Sequence, residues 1–325
     1  MKAILCNAFG DPLNLKIGEV ESPKVGDGQV KVRVHSVAVN FHDTLLVRGL
    51  YQIKPDFPFT PGSDASGEVL EIGAGVGRCK PGDRVSCGNP IGSYAEEMIA
   101  PEAWVFPLQE KVDHPWGAAY RGSHGTAYFS LVNRGRLKPN EWLVVHGAAG
   151  GVGLAAVEIG HLLGARVIGT VGSADKVDIV RQYGADHVID YSKENIRERL
   201  KEITNNQGVD VVLDVVGGEA FDQSLRCLNW DGRLLVVGFA SGVIPKAPAN
   251  LPLLNNASII GVLYGPWIDR FPAEALELNT KLMGWLSDRK IKPHIHKTYP
   301  LEQAGEAMME LINRKAIGKV MLKVR

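Results

Sequence analysis

The chain has 325 residues, in which 36 lysines and arginines balance 36 aspartates and glutamates. Its hydrophobic share of 45% excludes disorder for the chain as a whole, and its length predicts two domains or one large domain. The zero net charge argues against a polybasic surface, because nucleic-acid phosphates are bound by clustered Lys and Arg. We therefore expect a small-molecule partner and no nucleic acid.

Cysteine usage and apolar runs predict where the protein works. Four cysteines are too few and too widely spaced for a disulfide framework, and no C-x-x-C pair occurs: Cys6, Cys79, Cys87 and Cys227. The N-terminal apolar run ends at Asn7, which is short for a signal peptide, and no segment reaches the ~18–20 apolar residues of a membrane helix. We expect a soluble, cytoplasmic protein that does not enter a membrane.

The first part of the chain, to about residue 124, is divided into short runs by Gly and Pro. Several runs alternate between polar and apolar residues, and the stretch 29–34 does so most clearly, which predicts a β-rich, barrel-like domain. The glycine-rich stretch between Gly67 and Gly82 is not followed by a helical pattern. We interpret it as a hairpin and not as a phosphate loop.

From about residue 125, apolar runs alternate with helical patterns, which predicts a doubly wound parallel sheet. The predicted strands are 142–146, 166–171, 187–190, 209–216, 233–239 and 257–263, and the helices between the early strands are 154–163, 175–183 and 193–204. Near Pro272 the chain leaves this sheet, and we predict helices to about Asp288 and over 301–314, then a strand over 318–324. The tail is expected to return to the first domain, so that 1–124 and 266–325 form one domain and 125–265 the other.

The first predicted strand of the second domain leads directly through the glycine-rich turn 147–153 into an amphipathic helix that starts at Leu154. Glycines there let backbone N–H groups approach a pyrophosphate, whose charge then lies at the positive end of the helix. A strict G-x-G-x-x-G does not fit, whereas G-x-x-G-x-x-G from Gly147 does. We predict a dinucleotide site, and the alternative is a tight turn without a ligand.

The end of the second strand of this domain decides between NAD and NADP, because NAD sites place an acid there for the ribose hydroxyls. Gly172 and Ser173 stand at this point, no acid occurs before Asp175, and Lys176 follows it. A small polar loop beside a cation suits a 2′-phosphate, so NADPH is favoured over NADH. The alternative for Lys176 is a solvated residue in the first turn of a helix.

A β-rich domain followed by a strand, the turn AAGGVG and a helix resembles the medium-chain dehydrogenase/reductase superfamily over the whole chain. Further segments are similar to its zinc-independent NADPH:quinone oxidoreductase branch, which includes zeta-crystallin. They are 39–43 (VNFHD), 49–51 (GLY), 58–62 (PFTPG), 125–128 (GTAY), 237–242 (VGFASG) and 318–320 (GKV). The resemblance implies a Rossmann sheet beside a GroES-like barrel domain, an NADPH-dependent reductase and a homodimer.

The resemblance also implies roles for individual residues. The nicotinamide end would be lined by Asn40, Thr126 and Leu263. The pyrophosphate would be held by Gly150, Gly151 and Val152, and the adenosine 2′-phosphate would be surrounded by Gly172, Ser173, Lys176 and Tyr191. Phe239 and Lys319 would complete the cleft.

Zinc-dependent members of the superfamily use a Cys, a Gly-His-Glu segment and a later Cys. Here the Gly-His-Glu place reads Gly62-Ser63-Asp64 and no run of cysteines exists, so we expect no metal. The His42 and Asp43 pair and the His294 and His296 pair lack further ligands. We interpret them as surface or hydrogen-bonding residues.

Without zinc, the enzyme would suit acceptors that spread their own negative charge, such as quinones or other conjugated carbonyls. Hydrogen bonds from Asn40 or Tyr51 would support the product oxygen, with Asp43 orienting its neighbours; the alternative for Tyr51 is a half-buried tyrosine of the barrel. Arg121 and His124 stand where relatives carry mostly apolar residues, and they are candidates to face an anionic substrate.

Two alternative functions remain open from the sequence. One is an NADPH-dependent enoyl or 2-alkenal reductase acting on an anionic substrate. The other is an NADPH-binding protein with little turnover, which acts structurally as a crystallin or binds RNA. The last parallel strand, with the Ile- and Val-rich stretch 258–262, is an edge that suits pairing across a two-fold axis.

Overall fold

The computed structural model describes every residue from Met1 to Arg325. Its strands, in chain order, are β1 (Lys2–Leu5), β2 (Lys16–Glu19), β3 (Gln29–Val39), β4 (Asp64–Ile72), β5 (Arg84–Gly88), β6 (Glu97–Pro101), β7 (Val105–Pro107), β8 (Trp142–Val145), β9 (Arg166–Val171), β10 (His187–Asp190), β11 (Val209–Asp214), β12 (Leu228–Val236), β13 (Ser258–Gly261), β14 (Ile295–Pro300) and β15 (Lys319–Lys323).

Its α-helices are α1 (Phe41–Val47), α2 (His114–Tyr120), α3 (Thr126–Tyr128), α4 (Gly151–Leu162), α5 (Val177–Gln182), α6 (Ile196–Ile203), α7 (Gly218–Leu225), α8 (Asn250–Leu254), α9 (Tyr264–Arg270), α10 (Pro272–Ser287) and α11 (Ala304–Ile312). Wider π-helical turns occupy Arg121–Gly125 and Phe129–Arg134 on either side of α3. None of the helices has the length and apolar character needed to cross a lipid bilayer.

The chain divides into two compact units, one of residues 1–122 with 267–325 and one of residues 123–266. In the first unit, seven strands form one sheet in the order β14, β15, β3, β4, β5, β7, with β6 also paired to β3. The tail enters this sheet because β15 pairs antiparallel to β3 and parallel to β14. β4 and β5 form the predicted hairpin, because they pair antiparallel on either side of the glycine-rich stretch.

Two helices of the first unit were not predicted. α1 follows β3 directly, and α2 has Asp113 as its N-cap, whose side chain accepts a hydrogen bond from the Trp116 N–H. Both helices have seven residues, too few for a clear helical period beside Gly and Pro. Apolar side chains of β3 and β4 bury a core that also takes in β15 and α11.

In the second unit, six parallel strands lie in the order β10, β9, β8, β11, β12, β13. Numbered from the first strand of the unit, this is the order 3-2-1-4-5-6 of a doubly wound dinucleotide-binding sheet. The predicted fold class is confirmed. β12 begins at Leu228, five residues before the predicted start, and it ends at Val236, so residues 237–239 belong to the loop that follows.

Candidate functional site

The glycine turn after β8 has the backbone conformation that only glycine adopts without strain. Gly147 has φ of +61°, and a Cβ atom on Gly153 would lie 2.1 Å from the Gly147 carbonyl oxygen. His146 directly precedes the turn and is fixed by two contacts. Its Nδ1 lies 2.9 Å from Thr170 Oγ1, and its Nε2 lies 2.6 Å from Ser224 Oγ. The close approach of helix and strand therefore depends on glycine at these positions.

The helix after this turn offers an anion site. α4 has 12 residues, its N-cap is Gly150, and no side chain caps its first turn. The N–H groups of a helix's first turn have no partner within the helix, and they lie at its positive end. Gly150, Gly151 and Val152 therefore form a cradle that fits a pyrophosphate.

The predicted 2′-phosphate residues lie together at the end of β9. Gly172 is exposed, and a Cβ atom there would lie 2.8 Å from the Tyr191 hydroxyl oxygen, so the tyrosine hydroxyl lies beside this glycine. Ser173 precedes a single 3-10 turn, Ala174–Lys176, which contains the half-buried Lys176. The Ser173 side chain lowers the pKa of Asp175 by hydrogen bonding to its carboxylate, which is fully exposed. The loop that follows this glycine thus carries a hydroxyl at Ser173 and an ammonium group at Lys176.

Other predicted residues of the second unit follow strand ends. Phe239 lies three residues after β12 and is half-buried, and Leu263 lies two residues after β13 and is 64% exposed. The carboxyl ends of parallel strands share one edge of the sheet, so both residues lie at the edge that carries the glycine turn and Gly172. Thr126 begins α3 and is half-buried.

The first unit contains a buried polar network around Asn40, which follows β3. The Asn40 N–H donates to Asp43 Oδ2 at 2.8 Å, and the Tyr94 hydroxyl donates to the same oxygen at 3.2 Å. Asp43 is fully buried, and burial is the main cause that raises the pKa of its carboxyl group. These bonds fix the start of α1, and so fix Asn40 and Asp43 relative to each other.

The Asn40 amide connects three further residues. Its Nδ2 donates to Asp64 Oδ2 at 2.8 Å and to Ser63 Oγ at 3.1 Å, and its Oδ1 accepts a hydrogen bond from Lys319 Nζ at 2.5 Å. Lys319 Nζ also donates to the Val39 carbonyl at 3.2 Å. Burial lowers the pKa of the Lys319 ammonium group, and the charges of Asp64 and Asp43 oppose that effect. Hydrogen bonds therefore hold both the oxygen and the nitrogen of the Asn40 amide in place.

Lys319, which was expected to complete the cleft, is a buried residue of the first unit. It is 6% exposed, and its ammonium group donates to the Val39 carbonyl and to Asn40 Oδ1. The charges of two buried carboxylates, Asp64 and Asp43, favour the charged form of this buried ammonium group.

Arg121 and His124 are also paired inside the protein. Arg121 is 3% exposed, forms an ion pair with Asp64 and lies over the Trp104 ring, with 4.8 Å from its Cζ to the ring centroid. His124 is 3% exposed, and its Nε2 lies 3.0 Å from Glu158 Oε2. This geometry disagrees with the hypothesis that both face an anionic substrate, because both side chains are buried and each already contacts a carboxylate.

His42 and Tyr51 form the more open edge of the network in the first unit. The His42 side chain is 39% exposed, and its Nε2 lies 2.8 Å from Ser63 Oγ and 3.4 Å from Asp43 Oδ1. The half-buried Tyr51 ring stacks on the His42 ring with centroids 5.7 Å apart. Burial, followed by the charge of Asp43, raises the pKa of the Tyr51 hydroxyl.

Sequence reasoning missed the roles of Ser63, Asp64 and Trp104. Ser63 and Asp64 were considered only as replacements of zinc ligands, yet they organise the network from the start of β4. The sequence does contain a signal. Ser63 and Asp64 are two polar residues that directly follow Gly62, whose φ is +93°, at the start of a buried strand. In the complete chain no group of three or more His, Cys, Asp or Glu side chains is placed to hold a metal ion.

Comparisons with known proteins agree with this architecture. The family description "Alcohol dehydrogenase GroES-like domain" matches residues 26–110, and "Zinc-binding dehydrogenase" matches residues 151–281. The quinone oxidoreductase-like protein 2 homolog of Nematostella vectensis is 38% identical over 328 residues, which cover 100% of this chain and 89% of that protein. The chain belongs to the zinc-independent quinone oxidoreductase branch of the medium-chain dehydrogenase/reductase superfamily.

Two further members of this branch are similar over nearly the whole chain. Quinone oxidoreductase of Homo sapiens is 35% identical, with 99% of this chain and 97% of that protein covered. The crystal structure of Escherichia coli quinone oxidoreductase in complex with NADPH superposes with a TM-score of 0.92 at 30% identity, and both chains are covered completely. The predicted resemblance is confirmed, and the chain is an oxidoreductase.

Proposed function

We propose that this oxidoreductase transfers a hydride from NADPH to a quinone or another conjugated carbonyl without a metal ion. The names of the human and Escherichia coli relatives support a quinone as acceptor, and the Escherichia coli structure contains NADPH. The observation that carries the proposal lies in the first unit. There Asp64, which stands at the Gly-His-Glu place of the zinc-dependent members, forms an ion pair with Arg121, and the neighbouring Asn40 is bonded to Lys319.

The second unit fits NADPH. The N-terminus of α4 would bind the pyrophosphate, and Gly172, Ser173, Lys176 and Tyr191 would surround the 2′-phosphate, because a hydroxyl and a lysine follow an exposed glycine in the loop after β9. Bound NADPH supplies the hydride. The exposed Leu263 and the half-buried Phe239 and Thr126 would give the nicotinamide apolar and polar contacts.

The first unit supports an acceptor that becomes negatively charged. Hydride addition leaves an oxyanion, and a quinone or enone spreads this charge over a conjugated system, so hydrogen bonds suffice where simple ketones need a metal. Tyr51 Oη is the donor proposed for this role. The two Nδ2 hydrogens of Asn40 already donate to Asp64 and Ser63, so Asn40 would hold the network in place, with Asp43 orienting it through the 2.8 Å bond to its N–H. The raised pKa of Tyr51 suits a hydrogen-bond donor that keeps its proton.

The alternatives from the sequence have less support. An anionic substrate needs an unpaired cation, and Arg121 and His124 are both buried beside carboxylates. An RNA-binding role lacks an electrostatic basis because the net charge is zero. A protein with little turnover is the outcome that an activity assay would identify.

We also propose a homodimer in the cytoplasm. β13 pairs only with β12 and is the edge of its sheet, and its Ile259 is 37% exposed, which leaves an apolar edge for a second copy to cover. All four cysteines are free and buried, as expected for a reducing compartment. Light scattering that finds only the mass of one chain would contradict the dimer.

NADPH oxidation tests the proposed function directly. The purified chain would be assayed with 9,10-phenanthrenequinone, 1,4-benzoquinone, trans-2-hexenal and an acryloyl ester, with NADH as the matched control cofactor. We expect turnover with at least one quinone and a preference for NADPH over NADH. Turnover only with the acryloyl ester would favour an enoyl reductase, and no turnover with any acceptor would favour a binding protein.

A further inference from the structure

His42 occupies an unusual place in the first unit, because its ring joins the buried network to the surface. The ring Nε2 lies 2.8 Å from Ser63 Oγ, which itself accepts a hydrogen bond from Asn40 Nδ2 at 3.1 Å. The side chain is nevertheless 39% exposed. An imidazole with one nitrogen held by the protein and one nitrogen without a protein partner can exchange a proton with a ligand or with water.

Two oxygen atoms, Ser63 Oγ and Asp43 Oδ1, lie near the same nitrogen of His42. Asp43 Oδ1 is buried and has no hydrogen-bond partner, and it lies 3.4 Å from the same Nε2 that contacts Ser63 Oγ. A carboxylate oxygen only accepts, so it favours a proton on Nε2. Nδ1 forms no hydrogen bond with the protein and is left for a ligand.

The Tyr51 ring stacks on the imidazole ring of His42. A conjugated carbonyl held beside Tyr51 Oη would therefore also lie beside His42. The tyrosine is the poorer source of a proton, because burial and Asp43 raise the pKa of its hydroxyl. It can stabilise the oxyanion by hydrogen bonding while another group supplies the proton.

We propose that His42 is the proton donor of the reaction, acting through Nδ1, and that Asp43 positions and stabilises its protonated ring. This inference rests on the proposed function and deepens it. In hydride transfer the C4–H bond of NADPH breaks, and the hydride passes with its electron pair to the acceptor, which becomes a two-electron-reduced anion. The imidazolium then loses its Nδ1 proton as the acceptor oxygen gains an O–H bond. The neutral ring keeps its Nε2 proton and takes a new proton from water at Nδ1.

The charges around His42 are compatible with this role. Asp43 lies behind the ring and Tyr51 beside it, while Lys319 and Asp64 act on Asp43 from the other side of the network. Asp43 therefore lies near His42 Nε2, and its charge also interacts with that of Lys319, which Asn40 and the Val39 carbonyl hold in place.

The test compares the full-length chain with H42Q and H42A, using NADPH and 9,10-phenanthrenequinone. Glutamine can keep a hydrogen bond to Ser63 but cannot supply a proton, so we expect kcat to fall about 100-fold. NADPH affinity, measured by nicotinamide fluorescence, should stay within about two-fold, and added imidazole should raise the rate of H42A about 10-fold. H187Q is the matched control, because His187 is an exposed histidine outside this network, and it should keep the parental rate.

A second measurement does not depend on turnover. Diethyl pyrocarbonate acylates accessible imidazole nitrogens, and peptide mass mapping would show His42 as a modified residue that the quinone protects. Unchanged rates in H42Q and H42A would overturn the proton donor and leave the proposed function intact. Lost activity without imidazole rescue, or modification that the quinone does not slow, would show that the ring has a structural role and overturn the inference. Absence of turnover in the parental chain would overturn both.

Discussion

Lys319 Nζ lies 2.5 Å from Asn40 Oδ1 and joins the first residue of β15 to the residue that follows β3. The two residues are 279 positions apart in the chain, and the pairing of β15 with β3 brings them together. Asn40 is thereby bonded on both sides of its amide, to a cation and to the carboxylate of Asp64. The amide therefore has one orientation, and its two N–H bonds are used inside the network.

Replacement of Lys319 by methionine should reveal this bond. The change removes a buried charged donor and leaves Asp43 and Asp64 less compensated, so the free energy of unfolding should fall by about 2–3 kcal/mol. Lys323→Met is the matched control, because Lys323 is an exposed lysine of the same strand. Equal stability losses in urea denaturation of the two variants would contradict the role of Lys319.

Gly88→Ala should disturb the Arg121 ion pair. A Cβ atom at this position would lie 2.0 Å from Arg121 Nη2 and 2.8 Å from the Ser63 carbonyl oxygen. The guanidinium must move away from Asp64, and we expect a stability loss of about 1–3 kcal/mol in thermal unfolding. At Gly77 a Cβ atom would meet nothing within 4 Å, so Gly77→Ala is the control and should change stability little.

His114 should make the protein less stable in mild acid. Its ring stacks on His35 at 4.4 Å and contacts Ser66 Oγ through Nδ1 at 2.8 Å, and burial is the main cause that lowers its pKa to about 4. An unfolded histidine binds a proton near pH 6.5, so between that pH and about 4 the unfolded state binds more protons than the folded state. Stability from this residue is therefore complete above pH 6.5 and declines as the pH falls.

The size of this acid effect can be measured with one variant. After allowance for solvent screening at a half-buried ring, the loss between pH 7 and pH 5 should be about 1 kcal/mol. His114→Asn keeps a polar group near Ser66 but does not titrate, so its unfolding free energy should depend less on pH than that of the parent. Identical pH dependence in both proteins would exclude His114 as the source.

Lys176→Ala tests the proposed 2′-phosphate site. Loss of a charged hydrogen bond should weaken NADPH binding by about 1–3 kcal/mol and leave NADH binding nearly unchanged. The fluorescence of the bound nicotinamide gives both affinities. Lys201→Ala, at an exposed lysine of α6, is the control and should bind both cofactors as the parent does. An equal loss for both cofactors would remove Lys176 from the phosphate site.

The sequence predicts the second unit better than the first, for physical reasons. β8 is a continuous apolar run, and β9 and β11 are mostly apolar and buried, as expected for central strands of a parallel sheet, so pattern alone locates them. The network around Asn40 depends on partners such as Lys319 and Arg121 that only the folded chain brings together. A cation in a sequence carries no sign of whether its partner is a ligand or a buried carboxylate, and for this reason Arg121 was assigned to a substrate.

An isotope experiment is the most direct test of the proposed hydride transfer from NADPH to a conjugated carbonyl. The chain would be incubated with trans-2-hexenal or 9,10-phenanthrenequinone and with NADPH that carries deuterium at C4 of the nicotinamide. Separate incubations would use cofactor labelled on one face of the ring and cofactor labelled on the other. With the hexenal, the account predicts a saturated product that contains one deuterium on the carbon β to the carbonyl. With the quinone, it predicts hydroquinone and oxidised cofactor in equal amounts. Absence of both products, or a hexenal product without deuterium from either face of the labelled cofactor, would contradict it.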